Sequence, residues 1–358
     1  MTPNSHNRRK LKRKDKKASR GAKRHSLVMT TVKEWDSSKV YNKNVTLATQ
    51  EPKWWKLLQY RGSFDGPFHI NSYLEQKQMQ LVRKQPQVAT ALVKALRQAV
   101  HYCQLQFRDK KWNCSINTDH RLAVFGNITN YGWRETALLY ALTSASTVFS
   151  VAQTCAAGTL PHCPCTDQPS ALSHHSNRYW RSGCGPNVKY ARRFVKKFLD
   201  IEQGSDLRNF MNTHNNAAGR AHMKTVSKCV CTGTSGSCTA KTCFRTVERM
   251  DTVSDRLFRR FKKAEKLVSN AANRILRIEG SKQSKRTLVY LEDTPDLCKT
   301  TNRTANKHRP CGTPSLCKNI CCNGFIKVRT FERCRCLLNE STMKVHCEAC
   351  RLAAYACT

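Results

Sequence analysis

Ser235 lies in the stretch of this sequence whose residue types and spacing are best suited to chemistry. Residues 229–243 are CVCTGTSGSCTAKTC, so two cysteines enter and two leave a loop made only of small and hydroxylated residues. A serine beside glycines can be an activated nucleophile, and a glycine-rich loop can bind phosphate. The same hydroxyl can also be the acceptor of a covalent modification.

The enzymatic interpretations of this loop are weak. The G-x-S-x-G pattern of a hydrolase nucleophile fails at Ser237, where the last glycine would stand, and no strand–turn–helix context is predicted around it. No histidine and aspartate are placed to activate Ser235 as in a serine protease. A phosphate-binding loop fails because Cys238 and Thr239 occupy the positions of its glycine and lysine. We therefore expect no catalytic residue here.

The four cysteines of the stretch suggest a cross-linked hairpin. If Cys229 pairs with Cys243 and Cys231 with Cys238, the bonds are nested, and the inner one closes a loop of about eight residues, worth roughly 2–3 kcal/mol. Such a hairpin needs no hydrophobic core beneath it and can present Ser235 at its tip. It can equally be a structural staple only, and the residues by themselves leave both interpretations open.

Composition restricts the class of protein. The 358 residues suffice for two domains, and 63 Lys and Arg against 24 Asp and Glu give a net charge of +39. This charge implies an anionic partner, which on physical grounds is nucleic acid, an acidic membrane surface or a sulfated glycan. The 20 cysteines favour disulfides in an oxidising compartment. Zinc is the competing explanation, but Cys347-x-x-Cys350 is followed by no second ligand pair.

Different parts of the sequence favour and oppose secretion. Residues 1–29 form a basic tail without the run of about 7–15 apolar residues that a signal peptide needs. Taken alone, this tail suits a nuclear or nucleic-acid-binding protein. We nevertheless expect a secreted protein that starts elsewhere or uses another export route. Five sequons for N-glycosylation support this expectation, at Asn44, Asn113, Asn127, Asn302 and Asn339.

Apolar periodicity predicts the elements that position this hairpin. Helical spacing predicts helices at 88–103, 135–155, 188–198 and 250–268, with a further one around His214. The second is almost entirely apolar and is predicted to be a buried core helix and not a membrane span. The third has a basic outward face, formed by Lys189, Arg192, Arg193, Lys196 and Lys197. This face is either a solvated surface or, given the net charge of +39, a distributed patch that binds heparan sulfate. His214 is predicted to be a satisfied core residue.

Several motifs together resemble the Wnt family of secreted signalling proteins. Residues 229–243 match C-K-C-H-G-x-S-G-S-C-x-x-x-T-C, with Val230 in place of Lys and Thr232 in place of His. Residues 103–114 resemble C-x-x-x-F-x-x-x-R-W-N-C, with Lys111 for the arginine. Residues 135–145 match the family pattern E-T-A-x-x-Y-A-x-x-S-A. Residues 214–220 resemble H-N-N-E-A-G-R, with Ala217 in place of Glu. The resemblance covers roughly residues 85–358.

The resemblance implies an α+β, disulfide-rich fold. A helical N-terminal domain, residues 30–278, would carry the hairpin. A linker, residues 279–296, would include a short strand at 288–291, and a cystine-rich β-hairpin domain, residues 297–358, would follow. The resemblance further implies that Ser235 is esterified with a monounsaturated fatty acid, and that neither a cofactor nor a metal is required.

The family pattern also implies a set of disulfides that the sequence alone does not determine. The implied pairs are Cys103–Cys114, Cys155–Cys163, Cys165–Cys184, Cys229–Cys243, Cys231–Cys238, Cys298–Cys322, Cys311–Cys317, Cys321–Cys357, Cys334–Cys350 and Cys336–Cys347.

By the same resemblance, the protein is a secreted ligand of the developmental Wnt signalling pathway, located in the extracellular space or matrix. Two hairpins would bind the cysteine-rich domain of a Frizzled receptor, through Thr234, Ser235 and Gly236 at one tip and through Leu337, Leu338, Asn339 and Met343 at the other. Further expected partners are an LDL-receptor-related co-receptor, a Wnt-specific O-acyltransferase, an export carrier and heparan sulfate proteoglycans; nucleic acid is not expected. The second tip lacks the adjacent cysteines usual in the family.

The alternatives to a secreted ligand are a nuclear or RNA-binding protein with cysteine-bound zinc and, third, a serine hydrolase.

Overall fold

The chain was analysed as a computed structural model, and the part that it describes belongs to a single unit, Asp36–Thr358. The described residues are 51–59, 70–117, 119, 121–164, 166, 178–180, 185–201, 207–269, 275–277, 286–300, 308–339 and 344–358. The basic tail, residues 1–29, lies outside them. The division into two domains with a linker at 279–296 stays a prediction.

Helices dominate the N-terminal part of the described chain. Two 3-10 turns, Lys53–Leu58 and Asn71–Tyr73, precede them, and a third, Gly126–Asn130, follows the second helix. The helices are α1 (Gln76–Lys84), α2 (Val88–Gln106), α3 (Arg134–Ala156), α4 (Val188–Leu199), α5 (Leu207–His222) and α6 (Met250–Lys262), and in the C-terminal part α7 (Leu297–Thr300) and α8 (Pro314–Ile320).

The central helix is α3, which packs against α2, α4, α5 and α6. It is buried along nearly its whole length, as its apolar sequence predicts. Several of its hydroxyl groups find partners inside the protein: Thr143 Oγ1 donates to the carbonyl of Leu139 and Ser144 Oγ to that of Asn216. Among the described residues, the buried hydroxyls of Ser146 and Ser150 have no hydrogen-bond partner. No described helix has the length and apolar character required to cross a bilayer.

The helical core begins earlier in the chain than apolar spacing indicates. Trp54 and Trp55 are each 1% exposed and pack edge-on against Phe198 and Phe125. Helix α1, which periodicity did not predict, starts with a capping box between Glu75 and Gln78. This pair of polar residues is the local sequence signal that could have indicated α1.

Small sheets flank the helices. The strands are β1 (Arg178–Trp180), β2 (Thr225–Cys231), β3 (Lys241–Val247), β4 (Glu265–Ser269), β5 (Ile275–Arg277), β6 (Val289–Tyr290), β7 (Phe325–Asn339) and β8 (Lys344–Cys357). The order is β1-β3-β2 in one sheet, with β1 parallel to β3, and β5-β4-β6 in another. Strands β7 and β8 form a long antiparallel hairpin.

The predicted helix at 250–268 is wrong at its C-terminal end. The helix stops at Lys262, and Ala264 and Val268 lie beyond it, Val268 within β4. The reason is a pairing with a distant segment: the Glu265 N–H donates to the carbonyl of Leu288, and β4 continues in parallel beside β6. Tertiary hydrogen bonds override the local helical pattern here.

The strand predicted inside the linker is confirmed, and it is part of the core. Leu288 and Val289 are fully buried. The Asn215 side chain donates to the Val289 carbonyl and accepts from its N–H, both at 2.9 Å. The backbone N–H and carbonyl of Val289 therefore both bind this segment to α5.

The C-terminal region relies on cross-links, as its cysteine density predicts. Its buried cluster is small, consisting of Cys311, Cys317, Ile320 and Cys357. The hairpin of β7 and β8 has a register shift between Cys334 and Leu337, close to its tip. So small a core is insufficient without disulfides.

Candidate functional site

The hairpin that carries Ser235 consists of β2 and β3. Cys229 lies directly opposite Cys243 in the antiparallel register, and the two form a disulfide with a Cα–Cα distance of 4.0 Å. A second disulfide joins Cys231 to Cys238 above it. Every residue of β2 except Val226 is exposed. The hairpin therefore projects into solvent and is held together by covalent bonds and strand pairing.

The tip is a tight turn that places Ser235 at its apex. Residues Thr234–Gly236 form a 3-10 turn in which Ser235 adopts a left-handed conformation, with φ 54° and ψ 28°. The Gly236 N–H donates to the Gly233 carbonyl at 2.9 Å, and the Gly233 N–H donates to the Ser237 carbonyl at 2.9 Å. A non-glycine residue at positive φ is uncommon and persists where surrounding bonds enforce it.

Gly233 is required by close packing inside the turn. A Cβ atom at this position would lie 2.7 Å from the backbone oxygen of Ser237 and would also collide with the hydroxyls of Ser237 and Thr239. Those two hydroxyls are hydrogen-bonded to each other at 3.0 Å. The turn thus uses the hydroxyls beside Ser235 as internal contacts.

The Ser235 side chain is exposed, as are Thr234 and Gly236. Within the described part of the chain, its hydroxyl has no hydrogen-bond partner, so no histidine or carboxylate contacts it there. Thr232 stands where the family has histidine, and its hydroxyl pairs with that of Thr242 across the hairpin at 3.1 Å. The geometry offers Ser235 to an external molecule, and no described residue is placed to act as its base.

Within the described part of the chain, eight of the ten implied disulfides are present. Besides the two hairpin bonds they are Cys103–Cys114, Cys155–Cys163, Cys298–Cys322, Cys311–Cys317, Cys321–Cys357 and Cys336–Cys347. Cys165 and Cys184 lie outside the described residues. Cys334 is disulfide-bonded, but the side chain of Cys350, its expected partner, is outside the described part. The sulfurs of Cys311, Cys321 and Cys357 lie within 4.8 Å of one another, yet each belongs to a disulfide.

The second predicted contact is the tip of the hairpin of β7 and β8. Leu337 is 74% exposed and lies opposite His346, and Val345, opposite Leu338, is 63% exposed. The side chains of Leu338 and Asn339 and all of Met343 lie outside the described part. The tip thus presents apolar side chains to solvent.

The sequons differ in their surroundings. Asn127 is exposed in the third 3-10 turn, and Asn113 is half-buried beside the Cys103–Cys114 disulfide. Asn339 ends β7, while Asn44 and Asn302 lie outside the described residues. Glycosylation of all five stays a prediction. His214 is half-buried, and its Nε2 lies 2.9 Å from the carbonyl oxygen of Thr287, which agrees with the prediction of a satisfied core residue.

A basic groove at the base of the Ser235 hairpin was not predicted from the sequence. It has a volume of about 270 Å³ and is lined by Thr166, Pro186, Val188, Lys189, Arg192, Lys224, Thr225 and Arg245. Arg192, predicted to point outward from α4, is half-buried and donates to the Met223 carbonyl. Burial, followed by the nearby charge of Arg286, lowers its pKa. These residues come from separate segments, so only the basic face of α4 could have hinted at the groove.

Comparison with known proteins agrees with this architecture. The sequence matches the Wnt family model over residues 70–358. It is 36% identical over 289 residues to Wnt-1 of Danio rerio, covering 74% of this chain and 77% of that protein. It is 33% identical over 298 residues to human Wnt-2b, covering 78% and 75%. The fold is similar to a solved structure, human WLS in complex with WNT8A, with a TM-score of 0.52 and 26% identity over 76% of this chain and 94% of that chain.

A helical core, a cystine-braced hairpin and a cystine-rich C-terminal region define a disulfide-rich α+β protein. The chain belongs to the Wnt family. The match starts at residue 70, so the resemblance predicted from about residue 85 omitted the segment containing α1. Members of this family are ligands of the developmental Wnt pathway and not enzymes.

Proposed function

We propose that this Wnt ligand carries a monounsaturated fatty acyl ester on Ser235 and binds the cysteine-rich domain of a Frizzled receptor through that chain. The observation that supports this most is the exposed Ser235 hydroxyl at the apex of a turn braced by two disulfides. An enzyme that acylates the hydroxyl must reach it from solvent, and a lipid held there must enter a partner's groove without burying the hairpin itself. The tip meets both requirements.

The acyl chain would supply most of the affinity. Each buried methylene contributes about 0.8 kcal/mol, so a long chain exceeds a set of exposed salt bridges worth about 0–1 kcal/mol each. The protein surfaces around it, Thr234 and Gly236 at this tip and Leu337 at the other, would then decide which receptor is preferred. The apolar exposure of Leu337 and Val345 suits a contact with an apolar receptor surface.

The remaining partners are proposed by analogy with the family and with the similar solved structure. WLS, the protein bound to WNT8A in the similar solved structure, is proposed as the export carrier. A Wnt-specific O-acyltransferase would modify Ser235 before export, and an LDL-receptor-related co-receptor would complete the signalling complex. The net charge of +39 supports retention by heparan sulfate proteoglycans in the matrix.

The test compares Ser235→Ala with Ser227→Ala, a hydroxyl removal at an exposed position of β2 in the same hairpin. Each variant is purified from medium, the hairpin peptide is analysed by mass spectrometry, and binding to an isolated Frizzled cysteine-rich domain is measured. We expect Ser235→Ala to lack the acyl mass and to bind at least about 100-fold more weakly, since several methylenes are lost. Ser227→Ala should keep both properties. Full receptor activation by a protein whose Ser235 is bare would contradict the proposal.

The nuclear, zinc-binding alternative makes a different prediction from the same material. The described cysteines are in disulfides, which leaves their sulfurs unable to act as thiolate ligands. A mobility shift between reducing and non-reducing gels, without bound zinc, supports the secreted ligand. Free thiols with stoichiometric zinc would favour the alternative.

A further inference from the structure

The basic groove at the base of the Ser235 hairpin brings together cations from separate segments. Lys189 and Arg192 belong to α4, Lys224 immediately precedes β2, and Arg245 lies in β3. None of its eight lining residues is acidic. Its volume of about 270 Å³ is roughly twenty times the ~10–15 Å³ that one water molecule requires. The groove therefore has room for a polyatomic anion.

The charge in the groove is incompletely compensated by the described residues. Lys224 Nζ lies 3.7 Å from Glu248 Oε1, but that carboxylate already accepts from Arg256 at 2.5 and 3.0 Å. Arg192 uses one terminal nitrogen for the Met223 carbonyl, and its buried Nε has no hydrogen-bond partner among the residues that the structure describes. A buried donor without an acceptor is costly, and an anion entering the groove would satisfy it.

We propose that this groove binds a sulfate group of an extracellular sulfated glycan. The proposal builds on the proposed matrix retention and assigns it a site. Arginine and lysine side chains form short charge-assisted hydrogen bonds with tetrahedral oxyanions, and the arginine fork can hold two oxygens at once. Lys189 and Arg245 in its lining are exposed to solvent, so that a sulfate can enter while the sugar chain to which it is attached continues over the exposed basic face of α4.

The position of the groove allows the glycan and a receptor to bind together. Arg245 and Thr225 lie at the end of the hairpin opposite the Ser235 tip. Strand β2 spans seven residues, which corresponds to a separation of about 20 Å. A glycan at the base therefore leaves the tip accessible, and it contacts α4 and the hairpin simultaneously. The ligand could be held on a glycan while its tip engages a receptor.

The test uses the full secreted chain and a matched pair of double variants. Lys189→Gln with Arg245→Gln removes two exposed groove cations. Arg259→Gln with Lys263→Gln removes the same two residue types from exposed positions on and just after α6, away from the groove. Binding of a heparin hexasaccharide, and of the same hexasaccharide after chemical desulfation, is measured at physiological salt. Vesicles containing phosphatidylserine provide a second anion source.

We expect the groove variant to bind the sulfated hexasaccharide about tenfold more weakly and the control variant less than about threefold more weakly. The desulfated sugar should not distinguish them. Equal losses in both variants would mean a diffuse charge effect and would overturn the proposal, as would a loss confined to vesicle binding.

Ser235→Ala should bind the hexasaccharide normally, so that failure of the lipid proposal and failure of the groove proposal are separable. A groove variant that also loses Frizzled binding would indicate a distorted hairpin and would count against a separate anion site.

Discussion

Gly219 in α5 lies against the backbone carbonyl of Ala141 in α3. A Cβ atom at position 219 would be 2.8 Å from the carbonyl carbon of Ala141 and still closer to its oxygen. Both positions are within buried stretches of their helices. The glycine in the segment at 214–220 therefore has a packing role: it sets the distance between the two helices.

Replacing Gly219 with alanine should destabilise the protein. Alanine favours a helix by about 1 kcal/mol over glycine, but the methyl group would push α5 from α3, at a cost of typically 1–3 kcal/mol or more. We expect a lower thermal midpoint and a smaller secreted yield. Ala217→Ser adds one heavy atom at a half-buried position of the same helix and should change the free energy of unfolding by less than about 0.5 kcal/mol. A more stable Gly219→Ala protein would refute the packing argument.

Local sequence signals were sufficient for much of the fold. The apolar spacing after Pro86 predicts α2, and the apolar run from Glu135 predicts the buried α3. The nested disulfides of the Ser235 hairpin follow from cysteine spacing combined with the family resemblance. These features are local in sequence or carried by a motif, so that they remain visible without coordinates.

Features formed by distant segments could not be predicted in this way. Val268 continues the helical spacing of α6, yet β4 ends that spacing because it pairs with β6, more than 20 residues away along the chain. The cations of the basic groove converge from α4, β3 and the residue before β2, which no local pattern connects. Non-local hydrogen bonds and charge convergence have no signature in a short window of sequence.

Arg309 links the C-terminal region to the end of α2. Its guanidinium donates to four carbonyls just beyond that helix, those of Phe107, Arg108, Lys110 and Lys111, at 2.6–3.2 Å. Cations are favourable at helix C-termini, where carbonyls lack intrahelical partners. Arg309→Ala should therefore lower the free energy of unfolding by about 2–3 kcal/mol, the value of one or two hydrogen bonds to a charged group.

Hydrogen exchange can assign this loss to the contact. The amides of residues 107–110 should exchange faster in Arg309→Ala, while α3 retains its protection. Arg309→Lys keeps the charge but lacks the planar fork, so its stability should lie between the two. A lysine variant as destabilised as the alanine variant would attribute the effect to the fork alone, and unchanged exchange at 107–110 would refute the link.

His222 should make the stability of the protein depend on pH. Burial lowers its pKa from the usual 6.5, and the charges of Arg256, Arg260 and Arg286 act in the same direction against a hydrogen bond to the Arg286 carbonyl. Because the pKa in the folded state is below that in the unfolded state, the unfolded chain binds the proton first. The contribution of neutral His222 to the free energy of unfolding is then fully present above about pH 6.5. It decreases as the pH falls toward the pKa of His222 in the folded state.

The measurement is the unfolding midpoint of the wild-type protein and of His222→Gln between pH 7.5 and 5.5. Glutamine cannot take up a proton in this range and can still donate to the Arg286 carbonyl. We expect the wild-type midpoint to fall more steeply with decreasing pH than that of the variant. If the two midpoints changed in parallel with pH, His222 would be excluded as the source of the pH dependence.

Gly233 should control acylation without providing any chemistry of its own. A methyl group at this position would contact the Ser237 backbone oxygen at 2.7 Å and displace the paired hydroxyls of Ser237 and Thr239. The turn would then open, and Ser235 would leave the left-handed conformation that places it at the apex. Because the acyltransferase must recognise a defined loop, we expect Gly233→Ala to be secreted with a sharply reduced acylated fraction, measured by mass spectrometry of the hairpin peptide. Thr234→Ala removes an exposed side chain from the same turn and should be acylated normally. Full acylation of Gly233→Ala with both hairpin disulfides intact would mean that the shape of the turn is not what the enzyme recognises.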